Sequence, residues 1–168
     1  MLVDAMLGSL ARWLRLLGID AALAPNHESD AALVRRARAE DRLLITRDTQ
    51  LAQRRGMRAL LIESMDLRQQ LAQVLRHLPI DRARIGSRCM QCNVPLTLLT
   101  RTEAHARVPP YVFQTQDRFF ECPECHRVYW AGTHWQRMKA LLDEVLAEAD
   151  ENPSPEQDSA SRDDLFPR

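Results

Sequence analysis

Two short stretches decide how this chain is organised: Cys-Met-Gln-Cys at residues 89–92 and Cys-Pro-Glu-Cys at residues 122–125. Two residues between a pair of cysteines let one tight turn aim both thiolates at the same ion. Two such turns complete a tetrahedron with no open position, so the sequence predicts a structural zinc ion in a ribbon. The predicted ligands are all the cysteines of the chain, namely Cys89, Cys92, Cys122 and Cys125.

Two disulfides or a redox-active dithiol are the alternatives for the same cysteines. The N-terminus lacks the basic and apolar regions of a secretory signal peptide, so we expect a cytoplasmic protein. A reducing cytoplasm disfavours disulfides, and zinc is therefore the favoured interpretation. No apolar run approaches the roughly 20 residues that a membrane-spanning helix needs, and no membrane partner is expected.

The cysteine pairs also divide the chain into three predicted regions. Residues 1–86 precede the ribbon and are numerous enough to form a small core of their own. Residues 87–150 are predicted to hold the zinc ribbon and an amphipathic closing helix. Residues 151–168 are rich in Pro, Ser, Asp and Glu, a composition that cannot bury a core, and are predicted to be a disordered acidic tail.

The first region alternates between short apolar segments and segments with helical periodicity. Strands are predicted at residues 1–5, 19–24, 43–46 and 58–62. Helices are predicted at residues 7–17, 29–39, 48–55 and 66–78. This alternation predicts an α/β fold in which helices cover both faces of a parallel sheet. Ligands of such sheets bind beyond the carboxyl ends of the strands.

The zero net charge of the chain hides an uneven distribution. Residues 1–88 carry 15 arginines against 10 acidic residues, a net charge of +5. Residues 89–150 carry 6 basic and 8 acidic residues, a net charge of −2. The basic first region is compatible with an RNA-binding surface, since arginine binds phosphate bidentately, and equally with a solvated basic face.

Three aspartates fall near the carboxyl ends of the predicted strands: Asp4, Asp30 and Asp48. Carboxylates that share a pocket repel one another unless a cation neutralises them, and hard oxygen ligands suit Mg²⁺ or Mn²⁺. Asp30 could instead stabilise a helix N-terminus, and Asp48 could be a helix N-cap. Asp4 is the hardest to explain without an ion, because an unpaired charge in an apolar strand is costly to bury.

Several motifs in sequence resemble the Mut-seven C-terminal RNase domain family, a PIN-like nuclease fold with an added zinc ribbon. The opening Val-Asp-Ala-Met-Leu-Gly-Ser-Leu-Ala-Arg-Trp-Leu-Arg at residues 3–15 is similar to the start of that family. The Thr-Arg-Asp at residues 46–48 resembles its third-strand motif. Both cysteine pairs, Val-Pro-Pro at residues 108–110 and the segment 127–135 resemble its ribbon.

The resemblance implies a metal-dependent ribonuclease that hydrolyses RNA at an acidic PIN-like site. Carried over, Asp4, Asp30 and Asp48 are the catalytic Mg²⁺ or Mn²⁺ ligands, and Asp66 is the candidate for a fourth acid. Substrate binding falls to arginines near the site: Arg12, Arg15 and Arg47. The family often has a lysine where this chain has Ser9, which could lower activity. PIN-like domains often dimerise, so a homodimer is possible.

Two other functions remain open from the sequence. The basic first region and the ribbon aromatics Tyr129, Trp130 and Trp135 also suit a module that binds RNA without cleaving it. Core packing around a small ribbon is the competing role for these aromatics. A protein-interaction adaptor that presents the ribbon to a partner is the remaining alternative.

Overall fold

The first region folds into a parallel sheet with helices on both faces, as its alternating pattern predicts. The computed structural model describes residues 1–78 and 80–151, with side chains up to residue 148. The strands are β1 (Leu2–Val3), β2 (Ala22–Leu23), β3 (Leu44–Thr46) and β4 (Ala59–Leu61). The helices are α1 (Gly8–Leu16), α2 (Asp30–Ala39), α3 (Thr49–Ala52) and α4 (Leu67–Arg76). Beyond Glu151, the acidic tail predicted from the sequence lies outside the described residues.

The four strands are all parallel and lie in the order β2-β1-β3-β4. Successive residues of a strand point to opposite faces, and each face has its own hydrophobic cluster. Val3 and Ile45 pack in the cluster that contains buried residues of α1 and α4. Leu2 and Leu44 pack with buried residues of α2 and α3 on the other face. The result is the three-layer α/β arrangement that the sequence predicts.

The second region contains a small antiparallel sheet between and beyond the cysteine turns. Its strands, in the order β5-β6-β7, are β5 (Thr97–Leu99), β6 (Phe119–Glu121) and β7 (Val128–Tyr129). Two short helices that the sequence reasoning missed lie between β5 and β6: α5 (Arg101–His105) and α6 (Pro110–Thr115). Their signals are local, since Thr100 and Glu103 form a capping box before α5 and proline opens α6.

The closing helix α7 (Thr133–Glu151) packs back on the first region. Its apolar face joins the cluster that contains α1 and α4, through Met138, Leu142, Val145 and Leu146. Arg68 of α4 forms an ion pair with Glu144 of α7 at 2.9 Å and another with Glu148. The chain therefore leaves the first region, forms the ribbon and returns to complete the same core.

Candidate active site and metal centre

Asp4 and Asp48 come together at the carboxyl edge of the sheet. Asp4 follows β1 and Asp48 lies two residues after β3, and these two strands are neighbours. From β1 the chain crosses to β2 on one side, whereas from β3 it crosses to β4 on the other. Such a switch in direction opens a crevice between adjacent strand ends, which is where open α/β sheets bind ligands.

The hydroxyl of Thr46 joins the two acids. This side chain is fully buried, and its Oγ1 donates a hydrogen bond of 2.6 Å to Oδ2 of Asp4. The same oxygen accepts a hydrogen bond of 3.0 Å from the backbone N–H of Asp48. Thr46 therefore fixes the Asp4 carboxylate relative to the backbone that carries Asp48. The sequence reasoning noted Thr46 only as part of a motif and missed this role.

The remaining carboxylate oxygens have the right chemistry for a hard cation. Oδ1 of Asp48 caps α3 by accepting from the N–H of Leu51 at 2.9 Å. Oδ1 of Asp4 and Oδ2 of Asp48 accept no hydrogen bond from the described residues. Mg²⁺ is commonly held by one or two carboxylates together with waters and substrate phosphates, so the two residues offer the type of ligand that such an ion needs.

Asp30 and Asp66 lie at the starts of α2 and α4, which cover opposite faces of the sheet. Asp30 is exposed at the first turn of α2, behind the N-cap residue Ser29. Asp66 follows β4 and caps α4, where its Oδ1 accepts from the N–H of Gln69 at 3.0 Å. Within residues 1–78 and 80–148, the three predicted ligands Asp4, Asp30 and Asp48 do not form a group close enough to share one ion.

The three arginines predicted to bind substrate have different surroundings. Arg47 lines an open depression of about 550 Å³ together with Asp48 and Met6, and its buried Nε has no hydrogen-bond partner among the described residues. Arg12 is exposed on α1. Arg15 is only 6% exposed and donates to backbone carbonyls at the far end of α1, so its guanidinium does not reach the acidic edge.

The four cysteines form the second candidate site, and they are positioned as the sequence predicts. Their sulfur atoms all lie within 4.8 Å of one another, with Cys89 and Cys122 buried. The Sγ atoms of Cys89 and Cys125 are 3.8 Å apart. A tetrahedral zinc site with Zn–S bonds of about 2.3 Å has sulfur–sulfur edges of about 3.8 Å, so the four thiolates fit zinc.

The two cysteine turns have matching backbone geometry. The N–H of Cys92 donates to the sulfur of Cys89 at 3.3 Å, and the N–H of Cys125 donates to that of Cys122 at 3.4 Å. The residue after each pair, Asn93 (φ 66°) or His126 (φ 57°), has left-handed backbone geometry. Asparagine tolerates this conformation well, whereas histidine does so less readily. The local turn therefore repeats although its sequence differs.

Hydrogen bonding favours the thiolate form of Cys89. Burial raises the pKa of this thiol, but hydrogen bonds from the Tyr129 hydroxyl and from the backbone N–H groups of Cys92 and Gln91 outweigh burial and bring the pKa to about 7. The Tyr129 oxygen lies 3.2 Å from the Cys89 sulfur. Tyr129 thus contacts the metal centre, a role that the prediction of base stacking did not include.

The other ribbon aromatics take part in packing. Trp130 lies against the small hydrophobic cluster of the ribbon. Trp135 packs against the large core of the first region. Its ring lies so close to Gly86 that a Cβ added to this glycine would be only 2.4 Å from the ring. Gly86 has φ 79°, so both the backbone and this ring require glycine there.

Comparison with known proteins gives the chain a family. The exonuclease mut-7 homolog of Homo sapiens is 28% identical over an alignment of 165 residues, and the match covers 94% of this chain but only 17% of that protein. No solved structure matches the chain. Among the described residues, no helix is both long and apolar enough to cross a lipid bilayer. The model of the Mut7-C RNAse domain matches residues 1–142, and the chain therefore belongs to the Mut7-C RNAse domain family.

Proposed function

We propose that this protein is a ribonuclease that hydrolyses RNA phosphodiester bonds with Mg²⁺ or Mn²⁺ at the carboxyl edge of its parallel sheet. The family name suggests a nuclease, and RNA is the substrate class that the name indicates. The observation that carries the proposal is the meeting of Asp4 and Asp48, held by Thr46, in the crevice between β1 and β3. Paired carboxylates with free oxygens suit a cation that in turn binds phosphate.

In this proposal the carboxylates hold the cation and the arginines hold the RNA. A bound Mg²⁺ or Mn²⁺ would polarise the phosphodiester and activate water for in-line attack. Asp4 and Asp48 supply the central ligands, while Asp30 and Asp66 complete the acidic edge from α2 and α4. Arg47, which lines the open depression beside Asp48, and the exposed Arg12 would bind phosphate oxygens.

The finer features of the protein belong to the same proposal. The four cysteines hold a structural Zn²⁺, for which their sulfur positions are suited. The ribbon assists RNA binding through its exposed basic side chains, including Arg127 and Arg137. The protein acts in the cytoplasm, and a homodimer is compatible with the fold.

The test is cleavage of labelled single-stranded RNA in Mn²⁺ by the parent protein and by the Asp48→Asn variant. Asparagine caps a helix about as well as aspartate, so α3 stays capped while the charge is lost. We expect cleavage to fall by a factor on the order of 100, since the site loses a ligand that no neighbour replaces. The matched control is Asp81→Asn. Asp81 also caps a helix, the 3-10 turn Arg82–Arg84, but it lies away from the acidic edge.

Equal cleavage by the parent and Asp48→Asn would refute the acidic site as the catalytic centre. RNA binding without turnover is then the favoured function. The separation of Asp30 from the other acids supports it, because the three predicted ligands do not share one ion site. Binding of that kind depends on phosphate contacts and weakens steeply with salt. A parent protein that neither cleaves nor binds RNA would leave the protein-interaction adaptor.

A further inference from the structure

A buried arginine contacts the first cysteine turn from outside the ribbon. Arg15 lies in the last turn of α1, a helix of the first region, and is only 6% exposed. Its Nη1 donates to the carbonyl oxygens of Met90 and Gln91 at 2.9 Å and 2.8 Å. Its Nε donates to the carbonyl oxygen of Ala21 at 2.9 Å. The guanidinium therefore holds together the end of α1, the start of β2 and the turn between two zinc ligands.

One of the two carbonyls that Arg15 contacts belongs to a peptide group that faces the metal centre. The carbonyl of Gln91 shares its peptide group with the N–H of Cys92, which donates to the Cys89 sulfur at 3.3 Å. The carbonyl of Met90 lies one residue earlier in the same turn. A hydrogen bond to the oxygen of a peptide polarises its N–H, so the positive charge of Arg15 reaches the thiolate through the peptide group of Gln91 and Cys92.

We propose that Arg15 is a positioning residue of the four-cysteine centre, which holds the first turn and strengthens zinc binding through the peptide group of Gln91 and Cys92. Four thiolates leave a zinc complex with net negative charge, so a buried cation beside the turn is favourable. Outer contacts of this kind orient ligands and tune the metal. This inference rests on zinc binding by the cysteines and is independent of the proposed RNA cleavage.

A second contact between the same two regions makes a useful comparison. The Asn93 side chain accepts from the N–H of Ala21 at 3.0 Å and donates to Oδ1 of Asp20 at 2.7 Å. Asn93 therefore docks the turn on the first region without placing a charge near the sulfurs. Asn93→Gly removes this docking and keeps the left-handed backbone at φ 66°, because glycine adopts that conformation freely.

The experiment is measurement of zinc affinity by competition with a chromogenic chelator, using the full-length protein. We expect Arg15→Met to weaken zinc binding by about 10- to 100-fold, the usual cost of losing an outer partner of a ligand. Arg15→Lys should recover part of the loss, since it keeps the charge but not the forked geometry. The matched control is Arg35→Met on the exposed side of α2, which should stay within about twofold of the parent.

Cobalt substitution separates this role from general damage to the fold. The Arg15→Met variant should keep the absorption spectrum of a tetrahedral four-thiolate cobalt site while binding the ion more weakly. Circular dichroism of the metal-free proteins gives the folded fraction by which each affinity is corrected. Should Arg15→Met not fold, the comparison of Arg15→Lys with Asn93→Gly decides, and the lysine variant must show the larger loss.

Several results would overturn the inference. One is a corrected zinc affinity for Arg15→Met that matches the parent or the Arg35→Met control. Another is a loss for Arg15→Met no larger than that for Asn93→Gly, which would mean that docking alone matters. A parent protein that does not bind zinc would refute both this inference and the zinc assignment, while the ribonuclease proposal would stand.

Discussion

The Thr46 hydroxyl carries no charge, yet it organises the acidic edge. It donates to one aspartate and accepts from the backbone N–H of the other, and the Thr46 side chain itself is fully buried. A buried polar group that loses its partner costs about 1 to 3 kcal/mol. The hydroxyl therefore contributes to stability and to the geometry of the site at the same time.

Thr46→Val tests this role, because valine keeps the shape of the side chain and removes the hydroxyl. We expect RNA cleavage in Mn²⁺ to fall at least about tenfold, since Asp4 is no longer fixed. The free energy of unfolding should fall by about 1 to 3 kcal/mol. Thr46→Ser keeps the hydroxyl and is the control. Cleavage by the valine variant at the rate of the serine variant would show that the hydroxyl does not position the acids.

Two of the proposed catalytic acids lie at the N-termini of helices. Asp48 is the N-cap of α3 and Asp66 is the N-cap of α4, and each uses Oδ1 for the cap. The other oxygen of each carboxylate remains available to a cation or to water. Capping and ligation are therefore compatible in one residue, and the alternative of a simple cap, raised for Asp48, does not exclude a catalytic role.

Two substitutions of Asp66 separate its roles. Asp66→Ala removes the cap and the charge, and we expect the free energy of unfolding to fall by about 1 kcal/mol and cleavage to decrease. Asp66→Asn keeps the cap, so stability should match the parent while cleavage still decreases. Chemical denaturation and initial cleavage rates measure the two effects. Parent-like cleavage by Asp66→Asn would restrict this residue to capping α4.

The ribbon and its closing helix contact the first region at two places that are distant from each other in the sequence. The first cysteine turn is held by Arg15 and Asn93 against the first region. The closing helix α7 adds Met138, Leu142 and Val145 to the core of α1 and α4. The ribbon thus lies between two contacts with the first region, at the opposite end of α1 from Asp4. The domain boundary at residues 86 and 87 remains a prediction from the sequence.

Removal of zinc tests how far these contacts couple the two regions. Metal binding contributes directly to the stability of a small ribbon, so a chelator should unfold it. Because α7 and the first turn also contact the first region, we expect its thermal midpoint to fall by several degrees, about the effect of 1 to 2 kcal/mol. Hydrogen exchange of the β1 and β3 amides with and without chelator measures the loss of stability in the first region. Unchanged protection of those amides would support two independent domains.

The sequence by itself determined the features that depend on local pattern. The spacing of the cysteines gave the four-sulfur group, and the alternating periodicities gave a parallel sheet with helices on both faces. The capping role of Asp48 was also readable, since a cap involves only neighbouring residues, whereas the same role of Asp66 was not anticipated. The helices α5 and α6 were missed although Thr100 and Glu103 signal the start of α5, because helices of only 5 and 6 residues are too short to show a clear helical periodicity.

Tertiary structure alone decided which distant residues meet. The strand order placed Asp4 beside Asp48, because neighbours in a sheet are chosen by crossovers that periodicity does not encode. Asp30 stays apart although β2 also lies beside β1, since it is carried by α2, seven residues after the end of β2. The sequence does not distinguish Arg12 from Arg15, which lie three residues apart on α1. Only Arg15 lies on the buried side of this helix, where its guanidinium donates hydrogen bonds to the carbonyls of Met90 and Gln91. A buried guanidinium needs such partners, and they lie 75 and 76 residues away in the chain.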